Sequence, residues 1–142
     1  MEKKINILIA EDDGDERDFI KQGFAQSNLF EVIDVVPNGN ELLKTIRSLD
    51  DKDLPDLILS DLNMPLLNGC EAMLEVKKDP RLVEIMFILV STSASPDTFD
   101  ACSTSGAFAI LIKPSSFFEY KEFAISLYKE VSAKLFLDND QK

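Results

Sequence analysis

Five short apolar runs, separated along the chain by segments of helical periodicity, limit this sequence to few architectures. The runs have the length of strands and lie at Ile5–Ala10, Phe30–Val36, Asp56–Ser60, Met86–Val90 and Phe108–Ile112. Between them, and again over about residues 117–136, apolar residues recur every three or four positions, as in amphipathic helices. Runs that are apolar throughout are typical of strands buried on both faces of a parallel sheet. We therefore predict an α/β domain with helices on both faces of a parallel sheet.

The chain has the size and composition of a single domain. Its 142 residues, 45% of them hydrophobic, are enough to bury about two-thirds of the surface of the unfolded chain. We expect one domain over residues 1–142, with a core from about 5 to 135 and a short acidic C-terminal tail. The net charge is -11, from 15 basic and 26 acidic residues. This charge disfavours nucleic acids and anionic membranes as partners.

The sequence contains no histidine and only two cysteines. The first absence excludes histidine-based catalysis, histidine-ligated zinc and a phosphohistidine carrier. Cys70 and Cys102 lack the spacing of metal ligands and are too few for a disulfide framework, so we predict two free thiols in a reducing compartment. The apolar part of the N-terminus is too short for a signal peptide or a membrane span. These features predict a cytoplasmic protein.

Polar residues follow four of the five predicted strands directly. They are Glu11, Asp12 and Asp13 after the first strand, Asp61 after the third, Ser91, Thr92 and Ser93 after the fourth, and Lys113 after the fifth. In open parallel α/β sheets, ligands bind at the carboxyl ends of the strands, near the point where strand order reverses. We therefore predict a functional site at this edge, which explains why a carboxylate stands at the end of the buried third strand.

The stretch EDDGDERD, residues 11–18, holds six acidic residues, and not all of them point to a site. Capping and the helix dipole favour acids at helix N-termini. This preference accounts for four of the six, namely Asp13, Asp15, Glu16 and Asp18. Asp13 and Asn38 are each followed three residues later by a glutamate, a pattern that predicts a helix start. Glu11 and Asp12 precede the predicted capping residue and follow the first strand, so the preference for acids at helix N-termini does not account for them.

Glu11, Asp12 and Asp61 would together place three carboxylates at one edge of the sheet. Oxygen ligands with open positions suit a hard divalent cation, so we predict Mg²⁺, or Mn²⁺ in its place. The two charges of the metal and the single charge of Lys113 balance the three carboxylates. A pocket neutralised in this way could accept a phosphoryl group on one carboxylate.

Four motifs, in this order and at these spacings, make the chain resemble a known family. They are ILIAEDD, DLILSDLNMPLLNG, ILVSTSAS and AILIKPSS. From about residue 5 to 135, the chain resembles the receiver domain of two-component response regulators, in its stand-alone form. The resemblance implies a doubly wound, flavodoxin-like sheet of five parallel strands in the order 2-1-3-4-5, with five helices. It also implies a signalling domain rather than an enzyme, with at most self-catalysed phosphorylation and slow autodephosphorylation.

The resemblance implies a role for each acidic residue of the predicted site. Asp61 matches the phosphoacceptor, a carboxylate that attacks a phosphohistidine of a partner kinase. Asp12 matches a direct ligand of Mg²⁺ and Glu11 a ligand through water. Asp61 and the backbone carbonyl of Asn63 complete the implied ligand set.

The resemblance also implies a conformational switch. Ser91 matches a hydroxyl that hydrogen-bonds the phosphoryl group, and Lys113 matches the cation that pairs with it, in a cis Lys113–Pro114 peptide. Many receivers carry an aromatic residue three positions before this lysine, where the present chain has Ile110. We therefore place a switch region at Ser91, Thr92 and Ile110 and leave open whether it operates by an aromatic-type mechanism. The segment after Ser91 is a poor helix former, which fits either a weakly stable helix that switches or an ordinary surface helix.

The resemblance implies partners of two kinds. A sensor histidine kinase or a phosphotransfer protein would supply the phosphoryl group, and a further, unidentified protein would receive the signal, since only LDNDQK follows the last helix. The many aromatic residues of the last helix beyond one core-facing stripe suggest either a homodimer through that helix or a docking surface for another protein. We predict no nucleic acid and no membrane among the partners.

Three other classes of protein fit the sequence less well. A haloacid-dehalogenase-type phosphatase needs a second acid two residues after its nucleophile, where this chain has Asn63. A flavodoxin-like electron carrier needs a phosphate cradle after the first strand, where this chain has EDDGDER. A receiver-like scaffold that is never phosphorylated would have lost Asp61, one of the acidic pair or Lys113, and all of these are present.

Overall fold

A computed structural model describes residues 3–92 and 106–140 of the chain. The five strands are β1 (Ile5–Ala10), β2 (Phe30–Val36), β3 (Leu57–Asp61), β4 (Met86–Ser91) and β5 (Ala109–Ile112). The α-helices of the described residues are α1 (Gly14–Ser27), α2 (Gly39–Ser48), α3 (Gly69–Lys77) and α4 (Tyr120–Asp140), with 3₁₀ turns at Asp51–Asp53 and Phe117–Glu119. Each strand begins and ends within one residue of its predicted bounds. The helix that the sequence predicts after Ser91 falls on residues outside those described.

The strands form one parallel sheet in the order β2-β1-β3-β4-β5. This confirms the predicted fold class and strand order. Ala10 pairs with Ser60 in the β1–β3 register, so the residues that follow these two strands emerge next to each other. Ser91 pairs with Ile112 in the same way, which places Lys113 beside the end of β4. The register thus brings the ends of β1, β3, β4 and β5 to one edge.

Each face of the sheet carries its own apolar core. Alternate residues of a strand point to opposite faces, so Leu8 of β1 packs with α2 and α3 while Ile7 and Ile9 pack with α1 and α4. Phe87 and Phe24, one in each core, are fully buried. Burying a side chain of this size contributes roughly 1.5–3 kcal/mol. The two cores pack on opposite faces of the sheet and fix the positions of the strand ends.

Side-chain caps fix where the first three helices begin. Asp13, Asn38 and Asn68 each accept a hydrogen bond from the backbone N–H three residues later, at 2.9, 2.8 and 2.9 Å. The two helix starts predicted at Asp13 and Asn38 are therefore confirmed. Asn68 adds a reciprocal bond, since the Glu71 carboxylate accepts from its N–H at 3.0 Å, as in a capping box.

The last helix, α4, directs most of its aromatic residues inward. Tyr120 and Tyr128 are buried in the core beneath α1 and α4, and Phe123 and Phe136 pack against that core. The Tyr128 hydroxyl donates to the backbone carbonyl of Lys3 at 2.6 Å. The aromatic residues of this helix are thus mainly part of the fold.

Within the described ranges, no helix combines the length and hydrophobicity that a membrane crossing requires.

The prediction of a free thiol is wrong for Cys70. This cysteine, the second residue of α3, is part of a disulfide. The other cysteine of the chain, Cys102, lies outside the described residues. Disulfide formation depends on the distance between two cysteines in the fold, so the local sequence around Cys70 does not reveal it.

A glycine allows α1 and α4 to meet at backbone distance. A Cβ atom on Gly23 would lie 2.6 Å from the Cβ of Tyr120 and 2.7 Å from its backbone carbonyl carbon. These distances are shorter than real Cβ contacts, and the backbone atom cannot move aside as a side chain can. Gly23 therefore determines how closely Tyr120 approaches α1.

We predict that Gly23→Ala destabilises the domain. Overpacking a well-packed core costs typically about 1–3 kcal/mol, which outweighs the gain of roughly 0.5–1 kcal/mol from replacing a helical glycine. The expected fall in Tm is a few degrees, measured by thermal unfolding. Gly14→Ala is the matched control, because a Cβ at this other glycine of α1 meets only Arg17 at 3.4 Å. Equal melting temperatures for the two variants would contradict the assignment of the close approach.

Candidate functional site

The buried polar side chains of the described residues gather at one edge of the sheet. They are Glu11, Glu16, Ser60, Asp61 and Ser91. Glu11 follows β1 directly, Asp61 ends β3 and Ser91 ends β4. Glu11 and Asp61 are only 2% and 4% exposed. Burying carboxylates is costly unless they are paired or bind a cation, so this edge is where the chain places its chemistry.

Lys113 is the centre of this group. Its Nζ lies 2.7 Å from Glu11 Oε1, 2.7 Å from Glu16 Oε2 and 3.1 Å from Asp61 Oδ2. An ammonium group has three N–H donors, so each carboxylate can receive one. Burial alone would lower the pKa of Lys113, but the bonds to Glu11 and Glu16 and the charge of Asp61 outweigh burial and raise it. The lysine therefore stays charged.

Three carboxylates at this edge could hold a metal ion. One oxygen from each of Glu11, Asp12 and Asp61 lies within 4.8 Å of the others. Asp12 is exposed while the other two are buried, so the group opens to solvent on one side. A hard divalent cation such as Mg²⁺ prefers oxygen ligands and keeps several waters, and this donor set fits that preference. The structure brings together the three carboxylates that the sequence predicted.

Asn63 lies two residues beyond Asp61 in the loop that leaves β3. Its backbone N–H donates to Asp61 Oδ1 at 3.2 Å, which leaves Oδ2 for Lys113. The predicted role of its carbonyl oxygen as a metal ligand stays a prediction. Gly69 lets α3 begin against this loop, because a Cβ there would lie 2.5 Å from the carbonyl oxygen of Asp61. Asp61 is thus held by its backbone as well as by its side chain.

Glu16 belongs to the site, contrary to the sequence analysis, which assigned it to the helix N-terminus. Its position in line with the apolar residues of α1 is the sequence pattern that could have identified it as a site residue. Glu16, Ile20, Gly23 and Phe24 are the buried residues of this helix, at the spacing of one helical face. An acid on the apolar face of a helix requires a partner, and Lys113 is that partner. Asp15 and Asp18 are exposed, as helix-start acids should be.

Arg17 is a second residue that the sequence analysis missed. Its guanidinium Nη1 donates to the carbonyl oxygens of Glu11 and Asp12, at 2.9 and 3.0 Å. It thereby fixes the backbone of the two acids from the first turn of α1. No pattern in the sequence distinguishes this arginine from an ordinary surface residue.

The acids of the site differ in how easily they ionise. Burial, the neighbouring Glu16 and the charge of Asp61 together raise the pKa of Glu11 to about 9. Burial also acts on Glu16, but hydrogen bonds from Glu11 and Lys113 outweigh it and lower the pKa of Glu16. Burial raises the pKa of Asp61, against the opposing effect of Lys113. Without a metal, Glu11 is therefore the acid of the site that takes up a proton most readily.

Glu16 adds a fourth carboxylate to the three that the sequence predicts at this edge. A divalent cation and Lys113 together would neutralise three of the four when all are ionised.

The predicted switch residues occupy different environments. Ser91 is buried, and its carbonyl oxygen accepts from the backbone N–H of Lys113 at 2.9 Å. Thr92 is exposed. Ile110 is half-buried and packs against the core on the α2 and α3 face. Their roles in switching stay predictions, and the helix predicted after Ser91 lies outside the described part of the chain.

The Lys113–Pro114 peptide is trans, so the expectation of a cis bond is wrong. The trans form is intrinsically favoured before proline by about 0.5–1 kcal/mol. Lys113 reaches all three carboxylates from this backbone conformation.

Comparisons with known proteins agree with this geometry. The sequence profile of the family described as "Response regulator receiver domain" matches residues 7–123. The chain belongs to this family, and it is therefore a receiver domain of two-component signalling.

Relatives and solved structures show how far the similarity extends. The chain is 28% identical to the two-component response regulator ORR13 of Oryza sativa subsp. japonica, over 77% of this chain and 86% of the rice protein. It is 28% identical to a protein-glutamate methylesterase/protein-glutamine glutaminase of Geobacillus kaustophilus, over 89% of this chain but only 34% of that relative. The structure of the phosphorylated cyanobacterial phytochrome response regulator RcpA superposes with a TM-score of 0.76 at 26% identity, over 89% of this chain and 92% of that one. The chain thus spans about a third of the methylesterase.

We predict that the metal-free domain loses stability as pH rises from about 5 to 9. The pKa of Glu11 is about 9 in the folded chain and ordinarily 4.5, so in this range the folded state holds a proton that the unfolded state lacks. The slope of the free energy of unfolding is at most about 1.4 kcal/mol per pH unit for one proton. Thermal unfolding in a chelator at several pH values measures it.

Glu11→Gln should flatten this pH dependence, since glutamine keeps the shape of the protonated acid and cannot ionise. Glu84→Gln, which removes an exposed glutamate, is the control and should keep the native slope. If the slopes of native protein and Glu11→Gln were the same, the proton would not reside on Glu11.

Proposed function

We propose that this receiver domain accepts a phosphoryl group on Asp61 from a phosphohistidine of a sensor histidine kinase or phosphotransfer protein. The reaction depends on Mg²⁺ or Mn²⁺, and the signal leaves by contact with another protein or by relay of the phosphoryl group. The observation that carries the proposal is the environment of Asp61. This carboxylate stands 3.1 Å from a buried ammonium group and within 4.8 Å of two further carboxylates.

The chemistry needs no general base. Asp61 attacks the phosphorus atom through a carboxylate oxygen, the phosphorus–nitrogen bond of the phosphohistidine breaks, and the imidazole leaves and takes up a proton. An acyl phosphate then stands on Asp61. A carboxylate is a modest nucleophile, so catalysis comes from alignment and from neutralisation of charge. The lack of histidine in the chain is consistent with this mechanism.

Each residue of the site has a part in this reaction. Asp12, Asp61, Glu11 and the carbonyl of Asn63 would hold the metal, which when bound neutralises charge on the phosphoryl oxygens. Lys113 orients Asp61 through Oδ2 and is within reach of the group that Asp61 receives. The new group adds roughly -1.5 to -2 charges, which Lys113 and the Ser91 hydroxyl would then bind.

The relatives support a signalling role. The rice regulator aligns over most of its length, and the structure of RcpA is that of a phosphorylated protein. The methylesterase has a further two-thirds of chain that does not align with this one, so we do not extend its activity to this chain. We expect self-catalysed phosphorylation and slow autodephosphorylation at most. A homodimer through α4 stays a prediction.

We predict that a small-molecule acyl phosphate with Mg²⁺ adds one phosphoryl group to the native chain and none to Asp61→Asn. Intact mass spectrometry measures the adduct, with EDTA as the metal control. Asp18→Asn, an exposed acid of α1, should be modified like the native chain. An adduct on Asp61→Asn would assign the phosphoacceptor elsewhere. A native chain without an adduct that still binds Mg²⁺ would accept phosphate only from its own kinase.

We predict that Asp12→Asn weakens Mg²⁺ binding at least about tenfold, because it removes one charged oxygen from the ligand set. Asp13→Asn is the matched control. Asp13 caps α1 through its side chain, and asparagine is an equally good cap, so its Mg²⁺ affinity should stay near native. A titration followed by calorimetry measures both. Equal losses in the two variants would mean that Mg²⁺ responds only to the overall negative charge of the loop.

A further inference from the structure

Lys113 has one more carboxylate partner than the phosphotransfer chemistry uses. Glu11 and Asp61 belong to the group of carboxylate oxygens that converge within 4.8 Å of one another, together with Asp12. Glu16 is not in that group, yet its Oε2 lies 2.7 Å from the lysine Nζ, closer than Asp61 at 3.1 Å. The site therefore contains a buried acid that bonds the lysine and Glu11 without belonging to the group of converging metal ligands.

Glu16 is held in place from several directions. Its backbone N–H donates to Asp13 Oδ1 at 2.9 Å, which fixes it in the first turn of α1. Its side chain is only 9% exposed. The Tyr120 hydroxyl of α4 lies beside its carboxylate and favours the charged form. The close approach at Gly23 is what brings Tyr120 to this position.

An acid here has a cost that a merely structural role does not explain. It adds a carboxylate beside the buried Glu11 and Asp61, where like charges repel and desolvation is unfavourable. The N-terminus of α1 already has Asp13 as its cap and the exposed Asp15 for its dipole. Hydrogen bonds with Glu11 and Lys113 offset the cost of Glu16, and Lys113 is its only cationic partner among the described residues.

We propose that Glu16 is a positioning residue for Lys113. It anchors the ammonium group on the α1 side of the site, so the lysine stays within reach of Asp61 when Glu11 and Asp61 turn to a metal ion and a phosphoryl group. Lys113 then keeps its bond to Glu16 and moves a second N–H from the Asp61 carboxylate to a phosphoryl oxygen. The role in phosphorylation rests on the proposed function, but the anchoring of the lysine does not.

The first test reports on the lysine itself and needs no phosphorylation. In ¹⁵N-labelled protein, the Lys113 ammonium protons should exchange slowly enough to be seen by NMR, since the group is buried and makes three bonds. The signal is assigned from its loss in Lys113→Arg. Glu16→Gln should accelerate this exchange by about an order of magnitude, corresponding to about 1.4 kcal/mol. Asp15→Asn removes the same charge from the same helical turn and should leave the signal unchanged.

Two further variants separate anchoring from folding. Glu16→Asp restores the charge on a shorter side chain and should recover part of the protection. Tyr120→Phe keeps the ring and removes the hydroxyl beside Glu16, so it should accelerate exchange of the Lys113 ammonium protons by a smaller factor. This variant replaces Glu16→Gln as the test if Glu16→Gln does not fold. A Lys113 signal unaffected by Glu16→Gln, or by Tyr120→Phe in that case, overturns the proposal.

The second test measures the rate of phosphorylation by an acyl phosphate at saturating Mg²⁺. Glu16→Gln should lower the rate on the order of tenfold, since a misplacement of about 1 Å in a reacting site can cost up to about 100-fold. Asp15→Asn should keep the native rate. If Glu16→Gln accelerates exchange of the Lys113 ammonium protons but leaves the phosphorylation rate unchanged, Glu16 does not position the lysine for this reaction. If the native chain neither takes a phosphoryl group from the acyl phosphate nor binds Mg²⁺, the proposed function fails while the NMR result still decides the anchoring.

Discussion

The rest of the site depends on the ion pairs of Lys113 with three buried carboxylates. Neighbouring strands are about 4.8 Å apart, and Lys113 leaves β5, two strands from β3 and three from β1. Its long side chain must therefore cross the end of β4 to reach Asp61 and Glu11. Ser91, the last residue of β4, is small and buried there. One cation that contacts carboxylates after β1, on α1 and at the end of β3 makes separate acids into a single site.

This arrangement ties the site to the cores beneath it. Glu16 and Arg17 reach the site from the first turn of α1, whose other buried residues pack in the core shared with α4. The orientation of α1 depends on its contact with α4, which Gly23 permits at backbone distance. On the other face, Gly69 sets α3 against the carbonyl of Asp61. The packing of α1 and α3 beneath the site thus determines the distances between its charged groups.

Much of this architecture could be predicted from the sequence, because its determinants are local. Fully apolar runs gave strand bounds within one residue, and Asp13 and Asn38 marked two helix starts. The residues at the ends of the predicted first, third and fifth strands were Glu11, Asp12, Asp61 and Lys113. The strand order came from the resemblance to a family, not from the periodicity.

What the sequence did not yield depends on contacts between distant elements. Glu16 has an ordinary explanation as an acid near a helix start, and only its alignment with Ile20 and Phe24 on the buried face indicates another role. The hydrogen bonds of Arg17 to the carbonyls after β1 have no pattern of their own. The disulfide of Cys70 likewise depends on the assembled fold. The expectation of a cis bond before Pro114 came from the family resemblance, whereas this chain keeps the intrinsically favoured trans form.

The charges of the site also show that the chain accepts a loss of stability where its chemistry lies. Four carboxylates, three of them buried, and one ammonium group leave an excess of negative charge, and burial together with this excess raises the pKa of Glu11. Any cation that binds the folded state and not the unfolded one would stabilise the domain by mass action. A well-packed apolar edge would fold more stably but would offer nothing to bind. The acids at the strand ends are therefore best understood as the part of the chain where folding and function compete.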